Sequence, residues 1–326
     1  MPTDQLAALV TDPLTRAVDA VLAGTPASLA ALKTGVDPDM LTDAVATYQA
    51  AGRTALHRHA ENGWYQVNIQ FTDPAGAEMV VAGRVGPALD QLRITGAVLG
   101  WWFLRKPPGW RIRLQAAPGV DPATVVRPLL DDLVAADVAA WRPAVYEPEI
   151  AAFGGTTAMD TVHELFCADS HGVLAYLRQP TPGLGRAAVS LLLCGTLLTA
   201  AGLDTFERGD VFDRITQLRP PPRAAGSEPA ELHGRLRGLI AGPDQARDPL
   251  FAPAGPLAHA TGWRTAFHTA GHTLATAATT GTLGRGLRAV LTHIMIFHWN
   301  RVGLAATDQA TLAHAARRAL LPDLPR

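Results

Sequence analysis

Only one stretch of this chain, residues 64–115, alternates with a period of two. That confines any sheet to a small part of a 326-residue sequence. In WYQVNIQF, Tyr65, Val67, Ile69 and Phe71 fall on one side and Gln66, Asn68 and Gln70 on the other, the pattern of a half-buried strand. GWWFLRKPPGWRIRLQ carries two more strand-like runs around Lys106-Pro107-Pro108-Gly109, whose proline and glycine signal a turn, so a β-hairpin is expected. Residues 78–85 fit either a strand or the lead into a helix at 88–92. Elsewhere apolar residues recur at helical spacing, over 123–140, 158–177, 186–203, 207–217, 228–240, 257–278, 283–299 and 309–320. Strands precede most helices instead of alternating with them. The expected class is α+β: a small antiparallel sheet with a hairpin packed against many helices.

The first 60 residues are helical in pattern throughout. Gly24-Thr25-Pro26 and Gly35 separate helices at 6–22, 27–32 and 40–51, with Asp37 as N-cap of the third and Gly52 as its end. This separates an N-terminal helical subdomain, 1–60, from an α+β domain, 61–326. The third helix carries Asp43 and almost no basic residue, which favours a packing or partner-docking role over DNA binding.

Hydrophobic residues make up 48% and charged residues 17%, which excludes a wholly disordered chain. Lys plus Arg (28) nearly equals Asp plus Glu (29), so no basic excess supports nucleic-acid binding. Cys167 and Cys194 are too few for a disulfide framework or a four-cysteine zinc site, and both lie in apolar helical stretches. The start of the chain has no signal-peptide pattern. The longest uncharged run, 187–203, falls short of the ~20 apolar residues of a membrane span. A cytoplasmic protein without a membrane span is expected. Arg219-Pro220-Pro221-Pro222-Arg223 has the composition of an extended connector.

Three clusters carry chemical potential. In the hairpin, Arg111 and Arg113 share one face of the second strand, while Trp101, Phe103 and Arg105 share a face of the first. Two readings stay open: guanidinium heads reaching water past aromatic bodies, or an anion clamp, since arginine forks match carboxylates and stay charged. Next, VYEPEIAAFGGTTAMDTVHELFCADSHGVL carries Glu147 and Glu149 before a Gly154-Gly155 turn, then Asp160, His163, Glu164 and Asp169 on a helix. Adjacent His163 and Glu164 point about 100° apart and HEL is not HExxH, so a zinc-protease site fails. Glu149 fits either a base or an ion-pair partner of the hairpin. Last, THIMIFHWNRVGL places His293 and Asn300 on one helix face and His298 and Arg301 on another. His268 and His272 have metal-pair spacing but no nearby carboxylate, and no metal is expected. No P-loop, GxGxxG, GxSxG or CxxC occurs.

In this order and spacing, WYQVNIQF, WWFLRKPPGWRIRL, YEPEIAAFGG with ELFCADS, and FHWNR resemble the C-terminal elimination domain of class I lantibiotic dehydratases. They also resemble its stand-alone relatives, the thiopeptide-type bacteriocin biosynthesis proteins. The resemblance covers roughly 64–326, and the N-terminal helices look like the extension of stand-alone members. It implies a lyase that needs no cofactor. A separate tRNA-dependent glutamylation protein esterifies Ser or Thr of a precursor peptide, and elimination of glutamate then leaves dehydroalanine or dehydrobutyrine. The implied partners are the leader and core of that peptide and the glutamylation protein, with no direct nucleic-acid contact and homodimerisation left open. By motif, Arg111 and Arg113 hold the glutamate carboxylate and Glu149 orients. His298 is the acid/base candidate with His293 as rival, and Arg105, Asn300 and Arg301 line the substrate site. One departure stands out: Ala152 occupies a position where fused dehydratases commonly carry arginine, so Arg105 or Arg142 must substitute or the activity differs. The fold's other known chemistry, the formal aza-[4+2] cycloaddition of pyridine synthases, is the alternative. A non-catalytic module that binds the leader or a partner protein is another.

Overall fold

Asp37 opens the third helix of the chain: its side chain accepts from the N–H groups of Asp39 and Met40, both at 3.0 Å. The computed structural model describes residues 12–61, 63–134, 137–220, 238–240 and 242–321. It divides the chain into two units, Met1–Gly63 and Trp64–Arg326. In the first, α1 (Pro13–Leu22), α2 (Ala27–Thr34) and α3 (Pro38–Glu61) bury Ala17, Val18, Ala30, Ala31 and Leu41. The third helix continues past Gly52, where the sequence pattern ends it. One interior glycine costs about 1 kcal/mol, too little to stop a helix whose backbone bonding continues on both sides.

In the second unit, β1 (Trp64–Phe71), β2 (Val98–Lys106), β3 (Gly109–Ala116) and β4 (Val138–Ala144) form an antiparallel sheet in the order β2-β3-β1-β4. The β2–β3 hairpin is as expected. Residues 78–85 prove helical, in α4 (Ala77–Val80), a π turn (Val81–Val85) and α5 (Gly86–Ile94). The helix expected over 123–140 ends early: α6 (Pro122–Val134) stops and the chain re-enters the sheet as β4, pairing Trp141 with Ile69 and Arg142 with Asn68. VAAWRPA shows little alternation because β4 is an edge strand exposed along most of its length, and Pro143 is tolerated there for the same reason.

The sheet has two unlike faces. Val67, Ile69, Phe103, Ile112 and Leu114 form an apolar face against α5 and α6. Trp102, Gln66, Asn68, Arg111, Arg113 and Arg142 share the other. The edge of β2 is closed by α7 (Thr156–Leu177), which follows the Gly154-Gly155 turn, and by a helix near the end of the chain. After α8 (Arg186–Ala200), α9 (Thr205–Leu218) and α10 (Asp248–Phe251), the helices α11 (Thr261–Thr279) and α12 (Leu287–Val302) pack on α7; α8 packs on α11, and α9 on α12 and α13 (Ala306–Leu320), completing an α+β fold. The apolar run 187–203 is the buried α8, and no helix among the described residues is long and apolar enough to cross a membrane. The helix expected at 228–240 and the Pro221–Pro222–Arg223 part of the connector fall mostly or wholly outside the described residues.

Candidate active site

Arginine 113 is the least expected group in this interior. It is 3% exposed, donates from Nε to Gln66 Oε1 at 2.7 Å, and lies 4.2 Å over the Trp102 ring and 4.4 Å over the Tyr146 ring. It makes no ion pair among the described residues, and its buried Nη1 has no hydrogen-bond partner. Burial pulls its pKa down to about 10, so it stays a cation at neutral pH. An unpaired buried cation is costly unless an anion arrives to meet it.

Beyond Tyr146 lies His163. Its Nε2 is 2.9 Å from the Tyr146 hydroxyl, and its ring packs 4.7 Å from that of Trp64. Burial first, and Arg113 second, lower its pKa to about 4, while burial raises that of Tyr146. Both are therefore neutral at pH 7. The sequence places His163 in a cluster of chemical potential but gives it no role once the zinc motif fails, and it gives Tyr146 none. The tyrosine of YEPEI stands 17 positions before its partner, and no local spacing links them.

Toward the hairpin end the same face is open. Arg111 and Arg142 flank Asn68 in one cross-strand row, and with Lys106 they line a hollow of about 200 Å³ that has no acidic residue in its wall. The structure therefore separates the two arginines named as substitutes at Ala152. Arg142 shares the face of Arg111. Arg105 lies on the opposite face, over Trp110, tied to Glu78 and donating to the Arg301 carbonyl at 2.8 Å. A further cation, Arg285, donates to the Ala152 carbonyl at 2.8 Å. Glu149 is exposed and raises the Arg113 pKa through charge without pairing directly.

The FHWNR residues are placed differently. His298 is 1% exposed, its Nδ1 2.8 Å from Asp169 Oδ1, beside the rings of Trp263 and Phe267. Arg301 is fully buried and also bonds Asp169, which accepts from Trp263 Nε1 as well, at 2.8 Å. Burial alone would push the Asp169 carboxyl up, but His298, Arg301 and Trp263 outweigh it and hold it below the usual carboxylate range. Arg301 Nε reaches the Phe103 carbonyl at 3.0 Å and Ser170 Oγ takes the Phe103 N–H at 3.1 Å, so the open edge of β2 is capped by side chains. Asn300 accepts from Gln309 at 2.9 Å, and His293 Nδ1 lies 3.0 Å from the Ala289 carbonyl, its ring edge-on to Phe153. Arg111 and Arg113 thus share a sheet face, whereas His298 and Arg301 belong to a buried cluster behind it.

Residues 64–320 match the family model described as lantibiotic biosynthesis dehydratase C-term. Among solved structures, the chain is similar to the tRNA-dependent lantibiotic dehydratase MibB from Microbispora sp. 107891, at 15% identity and a TM-score of 0.59, covering 79% of this chain and 28% of that one. It is similar to TsrL at 17% identity and 0.56, covering 78% and 93%, and to the pyridine synthase TbtD from thiomuracin biosynthesis at 14% and 0.52, covering 79% and 97%. At such identities the likeness is one of fold, and the chain spans little more than a quarter of MibB. No curated protein matches it.

Proposed function

The chain belongs to the lantibiotic biosynthesis dehydratase C-terminal family, and from that premise we propose that it eliminates glutamate from glutamylated Ser or Thr of a precursor peptide. The supporting observation is the buried, unpaired Arg113 on the same face as the acid-free row of Arg111 and Arg142. In the reaction a base takes the Cα proton, the electron pair forms the Cα=Cβ bond, and the Cβ–O bond breaks to release glutamate as a carboxylate. Arg113 and Arg111 hold that carboxylate as its charge develops, where fixed cations count most. Arg142 supplies the third cation in place of an arginine at 152.

Beside Arg113 stand Tyr146 and, bonded to it, His163, and of the two His163 is the candidate proton acceptor. In the tautomer protonated at Nε2, His163 donates to the phenolic oxygen and leaves Nδ1 to accept. His298 serves as a positioning residue: with Asp169 and Arg301 it fixes the β2 edge and, through Trp102, the floor beneath Arg113.

Incubating the purified chain with an O-glutamyl-serine peptide releases free glutamate and a dehydroalanine peptide, read by mass spectrometry. Arg113→Ala lowers the rate at least about 100-fold. An unchanged peptide with the wild-type chain defeats the proposal. The alternative, formal aza-[4+2] cycloaddition, is favoured by Ala152, because cycloaddition makes less demand on glutamate recognition. It requires the chain to ignore the glutamyl peptide and to cyclise one carrying two dehydroalanines.

A further inference from the structure

The hollow beside the hairpin turn has a built floor as well as a cationic rim. Arg111, Asn68 and Arg142 stand side by side in one cross-strand row, and the next row holds Lys106, Gly109, Gln70 and Ala140. Gly109 can take no side chain, because a Cβ there would lie 1.9 Å from the Ile69 carbonyl oxygen. With only a methyl group at Ala140, this second row is low on both sides of Gln70. That leaves about 200 Å³ open between Lys106, Arg111 and Arg142. None of these three cations forms an ion pair among the described residues, and no acidic residue lines the hollow.

Hydrogen bonding alone fixes how the Asn68 amide is turned. Arg113 can only donate, so the atom it meets on Gln66 at 2.7 Å is the oxygen. Gln66 therefore turns its nitrogen to Asn68, at 3.0 Å, and the atom met there is the Asn68 oxygen. The two Asn68 side-chain N–H groups are left without a partner among the described residues. Arg113 is itself buried and does not line the hollow; it acts on it through these two bonds. Three cations and an amide turned to donate, with no acid among them, suit a carboxylate, since arginine forks match its two oxygens. A glutamyl ester has one carboxyl group in the ester and a second one free. We propose that the hollow holds that free carboxylate, so that Lys106 and Asn68 join Arg111 and Arg142 in telling a glutamyl from a glutaminyl group. The identity of the ligand rests on the function proposed above.

The test separates binding from turnover. Capped peptides carry 2,3-diaminopropionate in place of the reacting serine, with a glutamyl or a glutaminyl group on its side-chain amine; the amide so formed does not eliminate. Calorimetric titration of the full chain at pH 7 gives a Kd for each. A charge hydrogen-bonded in the hollow makes the glutamyl peptide bind about tenfold tighter or more. Lys106→Met, at an exposed position, cuts that ratio by about threefold or more, whereas Lys106→Arg retains it. Lys33→Met removes the chain's other lysine and leaves the ratio as it is, which separates contact from net charge. Ala140→Leu fills the hollow from the exposed edge strand and abolishes the ratio. Equal Kd values on the wild-type chain overturn the proposal, as does a ratio unchanged in either Lys106→Met or Ala140→Leu. The two readings fail separately. Preference for the glutamyl peptide without glutamate release from its O-glutamyl-serine counterpart leaves the hollow assigned and removes the elimination; release without preference does the reverse.

Discussion

At His163, burial and charge act in the same direction, and that makes the residue a measurable cost at low pH. Its pKa falls from the ordinary 6.5 to about 4, because burial disfavours the imidazolium and Arg113 repels it. Below about pH 6.5 the unfolded chain takes up a proton that the folded chain refuses, so stability falls with pH until the folded group titrates near 4. The loss attributable to this one group reaches about 3 kcal/mol. Urea unfolding at pH 7 and at about pH 4.5 measures it. The difference between the two stabilities shrinks by most of that amount in His163→Gln, and an identical difference in the variant overturns the assignment. Arg111 and Arg113 were legible as a face because strand alternation is a local rule. The company they keep was not: Tyr146 and His163 reach Arg113 from a loop and a helix beyond the hairpin. The density of polar and aromatic groups at FHWNR was also legible, but a single sequence does not distinguish a reacting imidazole from one bonded to a buried carboxylate such as Asp169.

Among the elements, α7 makes the largest demands on its neighbours, since it presents His163 to the sheet and Asp169 to the cluster behind β2. Gly172 is the reason Trp263 of α11 can reach Asp169. A Cβ there would lie 2.3 Å from the indole, so the two helices meet only where one has no side chain. Gly172→Ala gains helix propensity, about 1 kcal/mol, yet displaces the indole and strips Asp169 of one of its donors. The net expectation is destabilisation of roughly 1–3 kcal/mol in urea, with altered near-ultraviolet circular dichroism from the displaced tryptophan. Unchanged spectra with raised stability would mean the indole is not held there. Of the elements themselves, β1, the hairpin and the long apolar helices were legible because each buries one side along its length. The edge strand β4 buries too little to alternate, and α3 outlasts Gly52 because a glycine weakens a helix without ending it. Residues 78–85 defied a choice between strand and helix because Met79, Val80, Val81 and Ala82 form a short continuous apolar run, which has no period to read.

For the whole chain, the four motifs in order pointed to the family that the match over residues 64–320 shows, although no one of them is diagnostic. The two units differ sharply in what holds them. The described core of Met1–Gly63 is built on four alanines and valines, Ala17, Val18, Ala30 and Ala31, with Leu41, whereas Trp64–Arg326 buries large aromatics including Trp101, Trp102, Phe103, Phe166 and Trp299. Apolar burial scales with area, and a unit of about sixty residues with so slight a core is marginal on its own account. Unfolding is then expected in two steps, not one. All seven tryptophans, from Trp64 to Trp299, lie in the second unit, so their fluorescence is blind to the first, while far-ultraviolet circular dichroism sees the helices of both. In a urea titration the circular dichroism should show an early loss of helix before any change in tryptophan emission, and a second loss coincident with it. Superimposable curves from the two probes would mean that the N-terminal helices draw their stability from something other than their own core.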